Sequence, residues 1–172
     1  TTIWCAGMES SGQAAAQQSS SSSELEHLAN GESSFSSAAT NAVLANIYFA
    51  SSLAYGVSSL NNPSDIPFVQ LYASGAYDNA EAAYNDATAA LAAAGQDYSF
   101  WGYYAPQYAE FDMNYKADAL SYFDQAVLAY QAGDLDSAGT YLGLGFSLAS
   151  YADVYNGTTI WFASMESEGA TK

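Results

Sequence analysis

Positive charge is what this chain most lacks. Arginine is absent, and Lys116 and Lys172 are the only lysines, against eighteen acidic residues and a formal net charge of −16. So few cations cannot neutralise phosphates, which excludes nucleic acid as a partner. Adhesion to anionic membrane surfaces is excluded for the same reason. Cysteine occurs once, at Cys5, so no internal disulfide can form. Histidine also occurs once, at His27, which excludes an intramolecular di-iron site and leaves a Ser or Cys nucleophile with a single candidate imidazole base. Proline occurs only at Pro63, Pro67 and Pro106, leaving long stretches free to be helical. No apolar run is long enough to cross a bilayer: the strongest, Ala42 to Val57, is interrupted by Asn46, Ser51 and Ser52.

What is present, first, is a repeat. Thr1-Thr2-Ile3-Trp4-Cys5-Ala6-Gly7-Met8-Glu9-Ser10-Ser11-Gly12 returns as Thr158-Thr159-Ile160-Trp161-Phe162-Ala163-Ser164-Met165-Glu166-Ser167-Glu168-Gly169, identical at nine of twelve positions. The matched set includes Trp and Met, two rare residues. Self-similarity at a fixed offset implies a series of units. The expectation is therefore that residues 1–157 form one unit and residues 158–172 begin the next. Cys5 is matched by Phe162 in the second copy, so the slot takes an aromatic ring and reads as packing, not as a reactive thiol.

Half of the 172 residues are hydrophobic, enough to build a core. Alanine is abundant and strand-like alternation is scarce, so the chain reads as all-α. The expected architecture is an antiparallel helical-hairpin bundle or solenoid-like unit of about five to six helices. A first helix starts near Thr2. A second segment, resuming by Glu24 beyond a serine tract, ends at Asn30-Gly31. The second helix is capped by Ser33 or Ser34 and carries Phe35, Ala38, Ala42, Phe49, Leu53, Val57 and Leu60 on its buried stripe, widened by Leu44, Ile47, Tyr48 and Tyr55. It ends at Asn61-Asn62-Pro63. A short helix from Ile66 to Ser74 turns at Gly75 into a longer one from Tyr77 to Ala94. After an aromatic connector, residues 96–107, a helix from Tyr108 to Ala132 has Phe111, Tyr115, Leu120, Phe123, Val127 and Tyr130 as its core. Gly133-Asp134 turns the chain into a last helix, Leu135 to Tyr155, closed by Asn156-Gly157.

Two of these turns share a pattern. Gly75-Ala76-Tyr77-Asp78-Asn79-Ala80 leads to Tyr84 and Ala87; Gly133-Asp134-Leu135-Asp136-Ser137-Ala138 leads to Leu142 and Gly145. Both resemble the mid-repeat turn of tetratricopeptide helical hairpins, with Gly at the turn, a large apolar residue two later and Ala five later. The resemblance implies antiparallel helix pairs. It does not imply peptide binding, which needs several stacked repeats.

Candidate chemistry is thin. Glu24 and His27 have the spacing of a di-iron ligand pair, but such a site needs a second histidine. Asp134-Leu135-Asp136 lacks the remaining ligands of a calcium loop, and Asp134 reads as a helix N-cap. Glu110 and Asp112 flank the aromatic stretch without being singled out as an acid–base pair. No nucleophile–base pair or phosphate loop is present. The chain is therefore read as a non-enzyme with no cofactor and no metal site. Tyr98, Phe100, Trp101, Tyr103 and Tyr104 crowd into seven residues and offer either a plug for the helix ends or a stacking surface for glycan or peptide. Asn156-Gly157-Thr158 is a glycosylation sequon.

The function expected is a structural or assembly module of an extracellular or cell-surface protein, of filament, stalk or surface-layer type. Its partners are copies of itself or adjacent units. Ile3, Trp4 and Met8 on one side and Ile160, Trp161 and Met165 on the other are the expected joint. The alternative is a secreted module that binds glycan or peptide through residues 98–104.

Overall fold

The computed structural model describes residues 22–95 and 98–167, and the side chains of 34–95 and 98–167. Among them the chain forms four long helices and no strand: α1 (Ser22–Ser59), α2 (Ile66–Ala94), α3 (Phe100–Gln131) and α4 (Leu135–Ser167), with a single 3-10 turn, Pro63–Asp65, before α2. Each helix packs on the next, and α4 returns to α1. Tyr55 stacks on Phe68 and Tyr72 beside the first turn, while Asn41 donates to Asp86 at 2.8 Å far from it, so α1 and α2 are antiparallel. Phe123 meets Phe146 near the α3–α4 turn and Trp101 meets Phe162 at the distant end, which makes that pair antiparallel too. Gln70 donates to Asp124 across α2 and α3.

The interior is made of small residues at alternating spacings of three and four. α2 buries Ile66, Val69, Ala73, Ala76, Ala80, Ala83, Ala87, Ala90 and Ala94. α3 repeats the pattern with Gly102, Ala105, Ala109, Asp112, Lys116, Ala119, Phe123 and Ala126. α4 does so with Ala138, Leu142, Gly145, Ala149, Ala152, Asn156, Thr159 and Ala163. In α1 the row is Phe35, Ala38, Ala42, Ala45, Phe49, Ser52, Gly56 and Ser59, with Phe49 half-buried. This is the spacing of a coiled-coil seam. Among the described residues nineteen of the twenty-six buried hydrophobic side chains are Ala, so small side chains make up most of the interior. Each buried methyl contributes only about 0.8 kcal/mol, but alanine loses no rotamer entropy and is the strongest helix former.

Glycines supply notches where a large ring must enter. A Cβ on Gly145 would collide with the Phe123 ring, and one on Gly56 would collide with Phe146. Gly75 receives Tyr48 in the same way, since a Cβ there would lie 2.6 Å from that ring.

These rows correct several expectations. Four helices occupy the described residues. The helix expected from Thr2 lies outside them. The chain does not stop at Asn30-Gly31: α1 runs through, since one interior glycine costs a helix only about 1 kcal/mol. Nor does it turn at Gly75, which lies inside α2 because the Tyr48 ring needs its bare Cα. Most large residues expected on the buried α1 stripe lie outside instead: Leu44, Ile47, Tyr48, Leu53, Val57 and Leu60 are exposed, Leu60 at 80%. Phe111 is likewise outside, while Phe123 is buried as expected. The stop after Ser59, the turn at Gly133 (φ 80°) and the Asp134 cap are found where expected; Ser137 N donates to Asp134 Oδ1 at 3.0 Å.

Neighbouring glycines should respond to substitution with opposite signs. Gly145→Ala should lower stability by about 1–3 kcal/mol through the clash with Phe123. Gly143→Ala, with open space at its Cβ, should raise it by about 0.5–1 kcal/mol through helix propensity. Urea unfolding of both variants measures this.

Candidate functional site

The second copy of the repeat is not a separate element. α4 continues without a break through Asn156-Gly157-Thr158 to Ser167. Thr158 and Thr159 donate their hydroxyls to the carbonyls of Val154 and Tyr155, four residues back, and so sit as interior helical threonines. Thr158 is therefore no N-cap, and the expected helix end at Tyr155 is corrected.

Asn156, the asparagine of the sequon, lies inside α4. It is 1% exposed, and its Nδ2, the atom a glycan would occupy, donates to the Ala42 carbonyl at 2.9 Å and to Asp112 Oδ2 at 3.0 Å. The folded helix offers no acceptor at that position. Asn156 instead belongs to a buried polar layer joining α1, α3 and α4. Asp112 Oδ1 accepts from Lys116 Nζ one helical turn away, and both side chains are almost fully enclosed. Burial pushes the Asp112 carboxyl above its ordinary range and pulls the Lys116 ammonium below its own; each partner offsets part of the other's shift. Asn156 Oδ1 is the one buried side-chain oxygen or nitrogen in the described residues without a partner. Charge alone does not reveal this layer in the sequence. Its signal is position: Asp112 and Lys116 fall on the same three-four row as the buried alanines of α3. Glu110 is exposed and does not join Asp112 in an acid–base pair.

The aromatic stretch also changes character. It is not a connector: α3 begins at Phe100, with Ser99 as N-cap accepting from Trp101 N at 3.1 Å, and includes Pro106. Tyr98, Phe100 and Tyr103 are exposed, whereas Trp101 and Tyr104 are half-buried. From them a continuous run of rings follows the α3–α4 seam. Trp101 lies 4.7 Å from Trp161 and 5.2 Å from Phe162; Phe162 lies 5.0 Å from Tyr108; Tyr155 joins Tyr108, Phe111 and Tyr115, the last nearly parallel at 5.5 Å. Such pairs contribute about 0.5–1.5 kcal/mol each beyond their burial.

Glu166 closes this end. Its carboxylate accepts from Ser99 N and Gly102 N, both at 3.1 Å, and from the Ser99 hydroxyl. Amide groups that α3 cannot satisfy itself thereby find an acceptor from α4, with the charge at the favourable end of the helix dipole. Glycine at 102 leaves room for this approach: a Cβ there would lie 2.7 Å from the Glu166 carboxyl carbon, and the carboxylate would have to shift.

The expected joint residues separate. Ile160 is buried in its own four-helix body against Ala42 and Ala83, so it cannot belong to an outward face. Trp161 is 41% exposed, and Met165 is half-buried. Ile3, Trp4 and Met8, with the side chains of Glu24 and His27, lie outside the described residues. Among the described residues no three His, Cys, Asp or Glu side chains gather as metal ligands, and no helix is long and apolar enough to cross a membrane.

Removing one member of the buried pair has a signed consequence. Lys116→Met leaves a buried carboxylate with only Asn156 and should cost about 3–5 kcal/mol at neutral pH. The Asp112 pKa, already raised, then rises further. A folded pKa above the unfolded one gives stability that is full below the unfolded value and falls as pH climbs through the folded value. The variant should therefore gain stability on acidification from neutral toward the carboxylate range, measured by urea unfolding across pH. Comparison with known proteins finds no matching family model, no matching curated protein and no matching solved structure.

Proposed function

We propose that this chain is a structural and assembly module, an antiparallel helical unit built to be joined to others through the repeated Thr-Thr-Ile-Trp helix. The observation that carries the reading is the continuity of α4 across the point where the repeat restarts. In consecutive units a helix that runs through the junction acts as a stiff joint, where a Gly- or Pro-rich linker would act as a hinge.

Two further features support it. Large apolar residues are outside, among them Ile47, Val57, Leu71, Leu128 and Val154, each more than half exposed. Scattered exposed hydrophobics are ordinary, but this many on helices with an alanine interior offer contact area for neighbouring units. The polar groups that are buried are consumed by structure: Asp112, Lys116 and Asn156 by one another, Glu166 by the start of α3. That leaves them serving packing, not catalysis. The acidic, cation-poor composition suits a surface that must stay soluble outside the cell while contacts are made through apolar patches. A filament, stalk or surface layer is the setting that fits such a module.

A second reading is favoured by the exposed Tyr98, Phe100 and Tyr103 rings, where a glycan or peptide would stack. Under that reading Trp101→Ala, which removes the ring packed beside Phe100, should abolish binding.

Sedimentation velocity over a wide concentration range tests the main reading. The wild-type chain should self-associate reversibly. Trp4→Ala combined with Trp161→Ala should weaken that association by about tenfold or more, as loss of an aromatic anchor does. Association unchanged by the double substitution, or no association at any concentration, contradicts the proposal.

A further inference from the structure

The place that Thr158–Ser167 occupies has the form of a seat. Ile160 packs on Ala42 of α1 and Ala83 of α2. Phe162 and Ala163 fill a cluster with Phe35 of α1, Ala90 of α2 and Ala105 of α3. Thr159, Ser164 and Ser167 are buried beside them, and Glu166 fastens the segment by capping α3. All three other helices therefore contribute to a surface that one ten-residue piece of α4 covers.

The chain carries that piece twice. The first copy has Thr2, Ile3, Ala6, Glu9 and Ser10 in place of Thr159, Ile160, Ala163, Glu166 and Ser167, without change. At buried positions the copies differ only where Phe162 is Cys5 and Ser164 is Gly7, both in the smaller direction. Smaller side chains enter a seat without clash and fill it less well. The remaining difference, Ser11 against Glu168, lies beyond the fastened stretch. Two segments thus carry the same key, and one body has a single lock.

We infer that this seat is a socket for the Thr1–Ser10 segment of a second copy of this chain, so that copies join head to tail by exchange of one helical segment. The inference deepens the assembly reading above and rests on it. In the joined state Ile3 lies against Ala42 and Ala83 of the receiving copy, and Glu9 takes over the cap on Ser99 and Gly102. The contact is heterologous, because the donor's first segment meets the receiver's body, and such contacts propagate when they do not close into a ring. The resident Thr158–Ser167 segment has the advantage of its tether and of the Phe162 ring. Exchange therefore grows with concentration and with any loss of the resident's hold.

The chain holds its own reporter. Cys5 is the only cysteine, and in the seated state it stands where Phe162 stands, whose ring lies 5.0 Å from Tyr108. A full-length Tyr108→Cys variant under mild oxidation should form a disulfide between Cys5 of one chain and the introduced thiol at position 108 of another. It would be seen as covalent oligomers on a non-reducing gel and assigned by peptide mass spectrometry. Adding Glu166→Ala, which loosens the resident, should raise the yield severalfold; adding Ile3→Asp should abolish it. Leu128→Cys, exposed and remote on the same helix, should give only background. Equal yields from positions 108 and 128, insensitivity to Ile3→Asp, or a 5–108 crosslink only within one chain overturns the socket. Self-association of the wild-type chain, with no 5–108 crosslink in the variant, overturns the socket and leaves the assembly reading standing; absence of self-association refutes both. Should Tyr108→Cys disturb the fold, a labelled Thr1–Gly12 peptide titrated into the full-length Glu166→Ala chain decides between the outcomes. Saturable binding that is lost with Glu9→Ala in the peptide supports the socket, and no saturable binding overturns it.

Discussion

Close approach between helices is the constraint on which the rest of this structure depends. With alanine at about half of the inward positions, the helix axes must come near one another before much dispersion attraction is gained. The alternation of three and four along all four helices keeps these small residues on one inward face of each helix. Close approach explains the glycine notches: Phe123, Phe146 and Tyr48 can enter only where the facing residue has no Cβ. It also explains why the larger aliphatic residues lie outside. They are not misplaced core: the inward rows are filled mainly by small residues, with a few large ones such as Ile66, Leu142 and Ile160.

An interior of methyl groups specifies register poorly, because one alanine resembles the next. Buried polar groups answer that need, as a buried asparagine fixes the alignment of a coiled coil. Asn156 reaches Ala42 of α1 and Asp112 of α3, and a slip of one turn in α4 would strand its amide and take a hydrogen bond from Asp112 Oδ2. At the far end Glu166 provides a second check by requiring that the start of α3 lie beside it. The α4 segment that repeats the beginning of the chain is thus held by shape, by an aromatic seam and by a charged cap together.

Fold class is legible from alanine content and the scarcity of proline, and the turns at Asn61-Asn62-Pro63 and Gly133-Asp134 from their own chemistry. Helix count is not. Gly31, Gly75 and the Asn156-Gly157 pair look like stop signals in isolation, yet tertiary contacts supply reasons to continue at two of them: a tyrosine ring at Gly75, buried hydrogen bonds at Asn156. The core is easily misplaced because size does not mark the inside here. Leu44, Ile47 and Val57 read as a stripe only if it does. The alanine row beside them has the more regular spacing. Of the candidate site, the repeat itself is legible from one sequence. Its seat is not, since Ala42, Ala83 and Ala105 carry no mark that distinguishes them from other alanines until the helices are packed.

Residues 158–167 are a structural member of the four-helix body, held by the side chains that recur at the start of the chain. Native-state hydrogen exchange tests this most directly, because protection reports the free energy of opening each segment. The amides of Thr159 to Ala163 should exchange as slowly as those of Ala149 and Ala152 in the same helix. Rapid exchange beginning at Gly157, with slow exchange before it, would show that the unit ends there and would contradict the account.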